Sequence, residues 1–285
     1  MVDANLAAKR DHFNSGSYRR VPDPEPSVAL VQSIMRFLKP LDPDCPCGPQ
    51  ITARLRLLAH EVSDLMSVRS EAHLHEAIHE ARRCLKAIMA LIGLLRRSAN
   101  KRHLRSMWMM CREALHGLGT LRDPHVIEQI LPTIEEQVLE NRKLIDWWHV
   151  RKTVRRLLKE VIASTQGLRT RHGRRHACKA LNRSWEKAAR SAEHAQEKPN
   201  AISLHTLRHH AIRLRLQVIF MSGMSDISKK EIDSLISLCS ELGDHHDLAM
   251  AMTHAHHGPD SILYARSMVL QRSALKRTRH LFRAC

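Results

Sequence analysis

Apolar residues recur every three or four positions along most of the chain, which is the spacing of a helix with one buried face. From Ile51 onward the pattern is carried mainly by Ala, Leu, Arg, Glu, Lys and Met, which favour helices. No stretch alternates apolar and polar residues between turn signals, so strands are not expected. The predicted helices are 51–67, 71–97, 100–118, 124–164 with a break near Pro132, 171–196, 201–221, 229–242, 245–256 and 260–283.

Two of these predicted helices have an unusually cationic polar face. Offsets of three, four and seven residues fall on one side of a helix, opposite apolar positions such as Leu85 and Leu214. The first stripe comprises His79, Arg82, Arg83 and Lys86, and the second stripe comprises His205, Arg208, His209, Arg213 and Arg215. Like charges this close repel each other by a few tenths of a kcal/mol per pair. The stripes therefore indicate a surface that binds a polyanion.

Two short motifs occur twice in the same order. His79 and His205 are 126 residues apart, and the segments Leu118–Asp123 and Leu242–Asp247, which both begin Leu-Gly and end in Asp, are 124 residues apart. Two motif pairs at nearly the same offset indicate an internal duplication. We therefore predict an all-α fold of two antiparallel four-helix bundles that are related by a pseudo-two-fold axis.

Composition narrows the class of partner. The chain has 285 residues, a formal net charge of +17 and 21 His. A field of this sign attracts nucleic acid, anionic lipid or polyphosphate. Seven scattered cysteines, an odd number, favour a reducing compartment, and the N-terminus lacks the apolar core of a signal peptide. The longest apolar run, Ala87 to Leu95, is too short to span a bilayer, so we expect a cytoplasmic protein without membrane insertion.

The domain boundaries follow from the same patterns. Residues 1–50 are polar at first and rich in proline, and we interpret them as a flexible extension that contains at most one short helix, near 28–38. Residues 51–283 form the predicted helical domain. Its first repeat is 51–165 and its second is 166–283.

Four segments of the helical region together resemble one known family. They are Ile78–Lys86, Gly167–Arg175, His205–Arg208 and Leu242–Ala249, and they occur in the order typical of the CHAD family, the conserved histidine α-helical domain. The resemblance covers about residues 51–283. It implies two four-helix bundles whose basic faces line a central channel, binding of inorganic polyphosphate without catalysis, and in some bacteria an association with polyphosphate granules.

The resemblance also implies the ligand-binding residues. By position they are His79, Arg82, Arg83 and Lys86 of the first stripe, and His205, Arg208, His209 and Arg213 of the second, with Arg105, Arg112, Arg174 and Arg175 as further candidates. Arg215 joins them because it lies on the face of the second stripe. The chain departs from the family at Ala87, Met89 and Ile212, where family members often carry Arg or Lys, and at His209 and His210, where Lys and Arg are common. The many His predict an affinity for polyphosphate that rises between pH 7.5 and 5.5.

Two other functions stay open at this point. Nucleic-acid binding agrees with the charge, but the few aromatic residues are not interleaved with the stripes as a stacking platform requires. A metal-dependent phosphohydrolase is suggested by His246 and Asp247 with His254, His256 and His257 nearby. The first repeat has Arg122 before Asp123 at the matching position, which favours a repeat element over a metal site. We therefore expect no catalytic residue, no metal and no cofactor.

Overall fold

The computed structural model describes residues 38–68, 73–96, 100–130, 147–166, 168, 173–254 and 261–282, without the side chains of 122–130, 254, 261 and 262. Within these ranges the chain forms eight helices and no strand. The helices are α1 (Cys47–Leu65), α2 (Leu74–Leu94), α3 (Lys101–Ile130), α4 (Trp147–Gln166), α5 (Arg174–Glu197), α6 (Ala201–Met221), α7 (Lys229–His254) and α8 (Ser261–Leu281). The predicted all-α class is confirmed.

The helices contact one another in two closed rings of four. In the first ring, α1 and α3 each pack against both α2 and α4, and in the second ring α5 and α7 each pack against both α6 and α8. Contacts between α3 and α4 show that these two helices are antiparallel. His103 near the start of α3 lies close to the end of α4, with its Nε2 2.7 Å from Ser164 O, whereas Gly117 farther along α3 faces Val150 near the start of α4. Each ring is therefore a four-helix bundle.

Two of the predicted helix boundaries are wrong. Helix α3 continues through Pro124, where a break between 118 and 124 was expected, and α7 continues through Gly243. Leu118 and Leu242 are fully buried, so packing against the core outweighs the poor helix propensity of the nearby proline and glycine. The two Leu-Gly segments are therefore helical, and Asp247 lies inside α7.

The start of α6 follows the sequence signal closely. Asn200 Oδ1 accepts from the Ser203 backbone N–H at 2.9 Å, and Ser203 Oγ accepts from the Asn200 N–H at 3.1 Å. This reciprocal capping box satisfies two backbone donors at the helix N-terminus. The predicted helix 201–221 has the observed bounds of α6.

Leu41, near the end of the predicted extension 1–50, packs against the second bundle. Leu41 is almost fully buried, and its backbone N–H donates to the carbonyl of Phe220 at 2.8 Å. Helix α1 begins at Cys47, within the predicted extension, because Cys47, Gly48 and Ile51 are buried as well. The predicted short helix near 28–38 lies almost entirely outside the described residues.

The two bundles approach each other most closely where α2 meets α6. Gln217 on α6 is fully buried, and its Nε2 donates to the carbonyl of Ala90 on α2 at 2.9 Å. A Cβ atom added to Gly93 would lie only 2.5 Å from the same Nε2. Helices α3 and α7, α1 and α5, and α2 and α5 also touch across this boundary. The glycine thus lets two helices with cationic faces pack side by side.

The contact between α2 and α6 predicts the effect of adding one methyl group. Gly93→Ala should lower the free energy of unfolding by about 1–3 kcal/mol, because buried Gln217 cannot move aside without losing its hydrogen bond. Gly243→Ala is the matched control, since open space surrounds that helical glycine. It should raise the same free energy by about 0.5–1 kcal/mol through helix propensity. Denaturant titration measures both, and equal changes would contradict the packing argument.

Candidate anion-binding site

A cleft of about 1060 Å³ lies between the two bundles and is lined by α2, α3, α5 and α6. We call it the central cleft. Its basic lining consists of Arg96, Lys101, Arg105, Arg112, Arg183, Lys187, Arg190 and Arg213, together with His210. Among the described residues that line it, Glu186 is the one acidic side chain. The cleft is therefore a strongly cationic cavity with a partly apolar floor that includes Met89 and Trp108.

Among the described side chains, no carboxylate forms an ion pair with a basic residue that lines the central cleft. Ion pairs between described side chains include Arg83 with Glu80 at 2.9 Å, Arg156 with Glu160 at 3.7 Å and Arg277 with Glu241 at 2.6 Å. None of these three pairs lies in the cleft. The positive field there is available to a ligand, and phosphate oxygens are suited to the planar donor fork of arginine.

Burial and mutual repulsion lower the pKa values of two basic residues in the cleft. Burial lowers the pKa of the Arg213 guanidinium, and the nearby charge of Arg96 lowers it further. The pKa of Lys187 is also lowered, first by burial and then by Arg96, Arg213 and two neighbouring arginines of α5. Both side chains remain charged at neutral pH because their ordinary values are so high. A bound anion would relieve this repulsion.

The second stripe forms a separate group of histidines. His205 Nε2 and His209 Nε2 are 2.9 Å apart, and the ring centroids of His205 and His246 are 5.0 Å apart. One of the two Nε2 atoms must donate and the other must accept, so this hydrogen bond requires at least one neutral ring. Lys86 of the first stripe lies close enough to influence the ionisation of His209. The two stripes therefore meet across α2 and α6.

Desolvation and nearby cations favour the neutral form of these imidazoles. The pKa of His209 is lowered to about 4, first by desolvation and then by His205, Arg208 and Lys86. The pKa values of His205 and His210 are also lowered, and the largest cause in both is desolvation. His210 Nδ1 also contacts Ser191 Oγ, which joins α6 to α5 beside the central cleft. At His209, any rise in affinity between pH 7.5 and 5.5 then requires a proton taken up on binding, because this imidazole is largely uncharged in that range.

The first stripe is partly committed to contacts within the protein. Arg82 Nη1 donates to the carbonyl of Leu115 at 3.1 Å, in space left by Gly119, where a Cβ atom would lie 2.8 Å away. Arg83 pairs with Glu80, which is almost completely buried. His79 is exposed on α2. The structure therefore holds Arg82 and Arg83 in place through neighbouring groups of α3 and α2.

The remaining predicted residues are divided between the cleft and other places. Arg105, Arg112 and Arg213 line the central cleft. Arg174 and Arg175 do not line it; both are exposed in the first turn of α5, and Arg174 Nε donates to the carbonyl of Met224 at 3.0 Å. Arg208 and Arg215 lie near Cys239 of α7 and influence the pKa of its thiol.

The described side chains contain no group of three or more His, Cys, Asp or Glu arranged to hold a metal ion. His256 and His257 lie outside the described residues, as does the side chain of His254. In addition, no helix within the described ranges has the length and apolarity needed to cross a bilayer.

Comparison with known proteins identifies the fold and the family. A family model described as CHAD domain matches residues 50–256. The chain belongs to the CHAD domain family. The crystal structure of the CHAD domain from the plant Ricinus communis is similar to it, with a TM-score of 0.58 and 18% identity over 86% of this chain and 94% of that one. At this identity the likeness shows the fold alone, and no functionally curated protein matches significantly.

Several cleft residues of this CHAD domain were missing from the predicted set. They are Arg96, Lys101, Arg183, Lys187, Arg190 and His210. Arg183, Lys187 and Arg190 follow offsets of four and seven on α5, the same periodicity as the stripes, so the sequence carried a usable signal. Arg96 and Lys101 lie at helix ends and have no such signal. Only the packing of the two bundles brings them to the cleft.

The depressed imidazole pKa values predict how stability depends on pH. An unfolded chain binds a proton at the ordinary His pKa of 6.5, whereas folded His209 does so only near 4. The unfolded state therefore gains protons first, and the free energy of unfolding should fall as the pH decreases from about 6.5 toward 4. His209→Gln should reduce this loss, and His194→Gln, an exposed site on α5, should not. Denaturant titrations at pH 7.5, 6 and 5 test this, and parallel curves for all three proteins would contradict it.

Proposed function

We propose that this CHAD domain binds inorganic polyphosphate in the central cleft and does not catalyse its conversion. The observation that carries the proposal is the cleft lining, in which eight Lys and Arg side chains from both bundles face a single acidic residue. A flexible chain of phosphates is a dense anion without bulky groups, and it can contact basic side chains on four helices at once. Family membership agrees with a phosphate-binding role.

The arginine content of the cleft supports phosphate as the ligand. A guanidinium donates two parallel hydrogen bonds to one phosphate group and stays charged at all physiological pH values. Arg105, Arg112 and Arg183 therefore offer binding that is independent of pH, while His210 offers a proton-dependent addition. Because condensed counterions are released when a polyanion is neutralised, affinity should fall steeply as salt increases.

Charge reversal within the cleft tests the proposal directly. Lys187→Glu/Arg190→Glu should weaken binding of long-chain polyphosphate by roughly 10- to 100-fold and lessen its salt dependence, because two charge-assisted contacts become repulsive. Lys152→Glu/Lys159→Glu on α4 is the matched control, since it reverses two exposed charges away from the cleft. Both variants lower the formal net charge by four units from +17. Equal weakening by the two variants would show that total charge, and not the cleft, binds the ligand.

Selectivity separates this proposal from nucleic-acid binding. Trp108 is the one aromatic side chain among the described residues that line the cleft, so successive bases have no series of rings to stack on. We expect long-chain polyphosphate to displace single-stranded RNA at equal phosphate concentration. A fluorescence competition assay measures this, and displacement in the opposite direction would favour the nucleic-acid alternative.

The proposal also states that the protein does not hydrolyse polyphosphate. A phosphate-release assay with polyphosphate and added Mg²⁺ should give no more product than a protein-free control. Sustained release would support the phosphohydrolase alternative.

In cells that store polyphosphate, a fluorescent fusion should lie at the granules, and the Lys187→Glu/Arg190→Glu variant should be dispersed.

A further inference from the structure

Trp108 lies where arginines from the two bundles converge. The guanidinium carbon of Arg112, four residues later on α3, is 5.8 Å from the Trp108 ring centroid. The guanidinium carbon of Arg213, on α6 of the other bundle, is 6.0 Å from the same centroid. Both distances are within the range of cation–π attraction, about 6 Å. One indole ring therefore contacts two cations of the central cleft.

The indole ring of Trp108 lies beside these arginines, where a carboxylate would ordinarily stabilise a partly buried guanidinium group. Among the described side chains, neither Arg112 nor Arg213 has a carboxylate within ion-pair distance. A carboxylate would hold the guanidinium but would cancel its charge and compete with an incoming phosphate. The quadrupole of an indole ring attracts the cation without carrying a net charge. Arg213 is partly buried among other cations, so a neutral anchor of this kind is the one that preserves the field.

We propose that Trp108 is a positioning residue that holds Arg112 and Arg213 as a preformed clamp across the two bundles for polyphosphate. This inference rests on the proposed function, and it specifies which residue holds the two arginines in position before the ligand binds. Because the ring is partly buried against the core, its own position is fixed before the ligand arrives. A fixed ring limits the conformational freedom that each arginine would otherwise lose on binding.

The experiment compares variants at Trp108 with a tryptophan outside the cleft. Trp108→Leu should weaken polyphosphate binding by about five- to thirty-fold through loss of two cation–π contacts. Trp108→Phe keeps an aromatic face and should stay within about threefold of the wild type. Trp185→Leu is the matched control, because Trp185 is partly buried on α5 and packs edge-on against Phe282 with centroids 5.6 Å apart. It should change affinity by less than about twofold.

A double-mutant cycle separates positioning from a general packing role. In an Arg112→Ala/Arg213→Ala background, Trp108→Leu should have almost no further effect on affinity, since the residues it positions are gone. Equal affinities for Trp108→Leu and Trp108→Phe, or the same loss for Trp185→Leu, would overturn the inference. So would an undiminished effect of Trp108→Leu in the double-alanine background. If the wild type itself fails to bind polyphosphate, the proposed function fails, which is a distinct result.

Discussion

The contact between α2 and α6 is the constraint on which the rest of the molecule depends. At this point Gly93 leaves room for Gln217, and the buried amide bonds to the backbone of α2. The two helices that meet here also carry the two cationic stripes, so close packing places like charges side by side. Apolar burial in both bundles has to supply the free energy that opposes this repulsion. The cleft is thus a region of unfavourable electrostatics maintained by favourable packing elsewhere.

The protein limits that repulsion in three ways that do not cancel its positive field. Desolvation and nearby cations lower the pKa of His209 to about 4, which keeps this histidine of the second stripe neutral. Arg82 is directed onto the carbonyl of Leu115, a neutral acceptor. Arg112 and Arg213 rest against an uncharged indole ring. Each device stabilises the free protein while leaving net charge for an anion, and an anion that binds only the folded state stabilises that state further.

Apolar periodicity together with helix-forming composition was sufficient to predict the helical class, although α6 buries residues on more than one side in its second half. The bounds of α6 followed from Pro199 and the Asn200 cap. Propensity failed at Pro124 and Gly243, where buried leucines keep α3 and α7 helical. For the site, periodicity located the stripes but not the cleft. Which cationic faces converge depends on the angle between bundles, and that angle is set by tertiary contacts such as the one at Gly93, which no local pattern reveals.

The division between arginine and histidine has a chemical consequence of its own. The central cleft is mainly lined by arginine and lysine, whose charge does not change over the physiological pH range. The imidazole of His209 is uncharged in the free protein at neutral pH and gains charge there when a neighbouring anion raises its pKa. One part of the surface therefore attracts an anion at any pH, and the other strengthens its hold only after the anion has arrived. Helix α6 contributes to both parts, so a phosphate chain long enough to leave the cleft along α6 would meet them in that order.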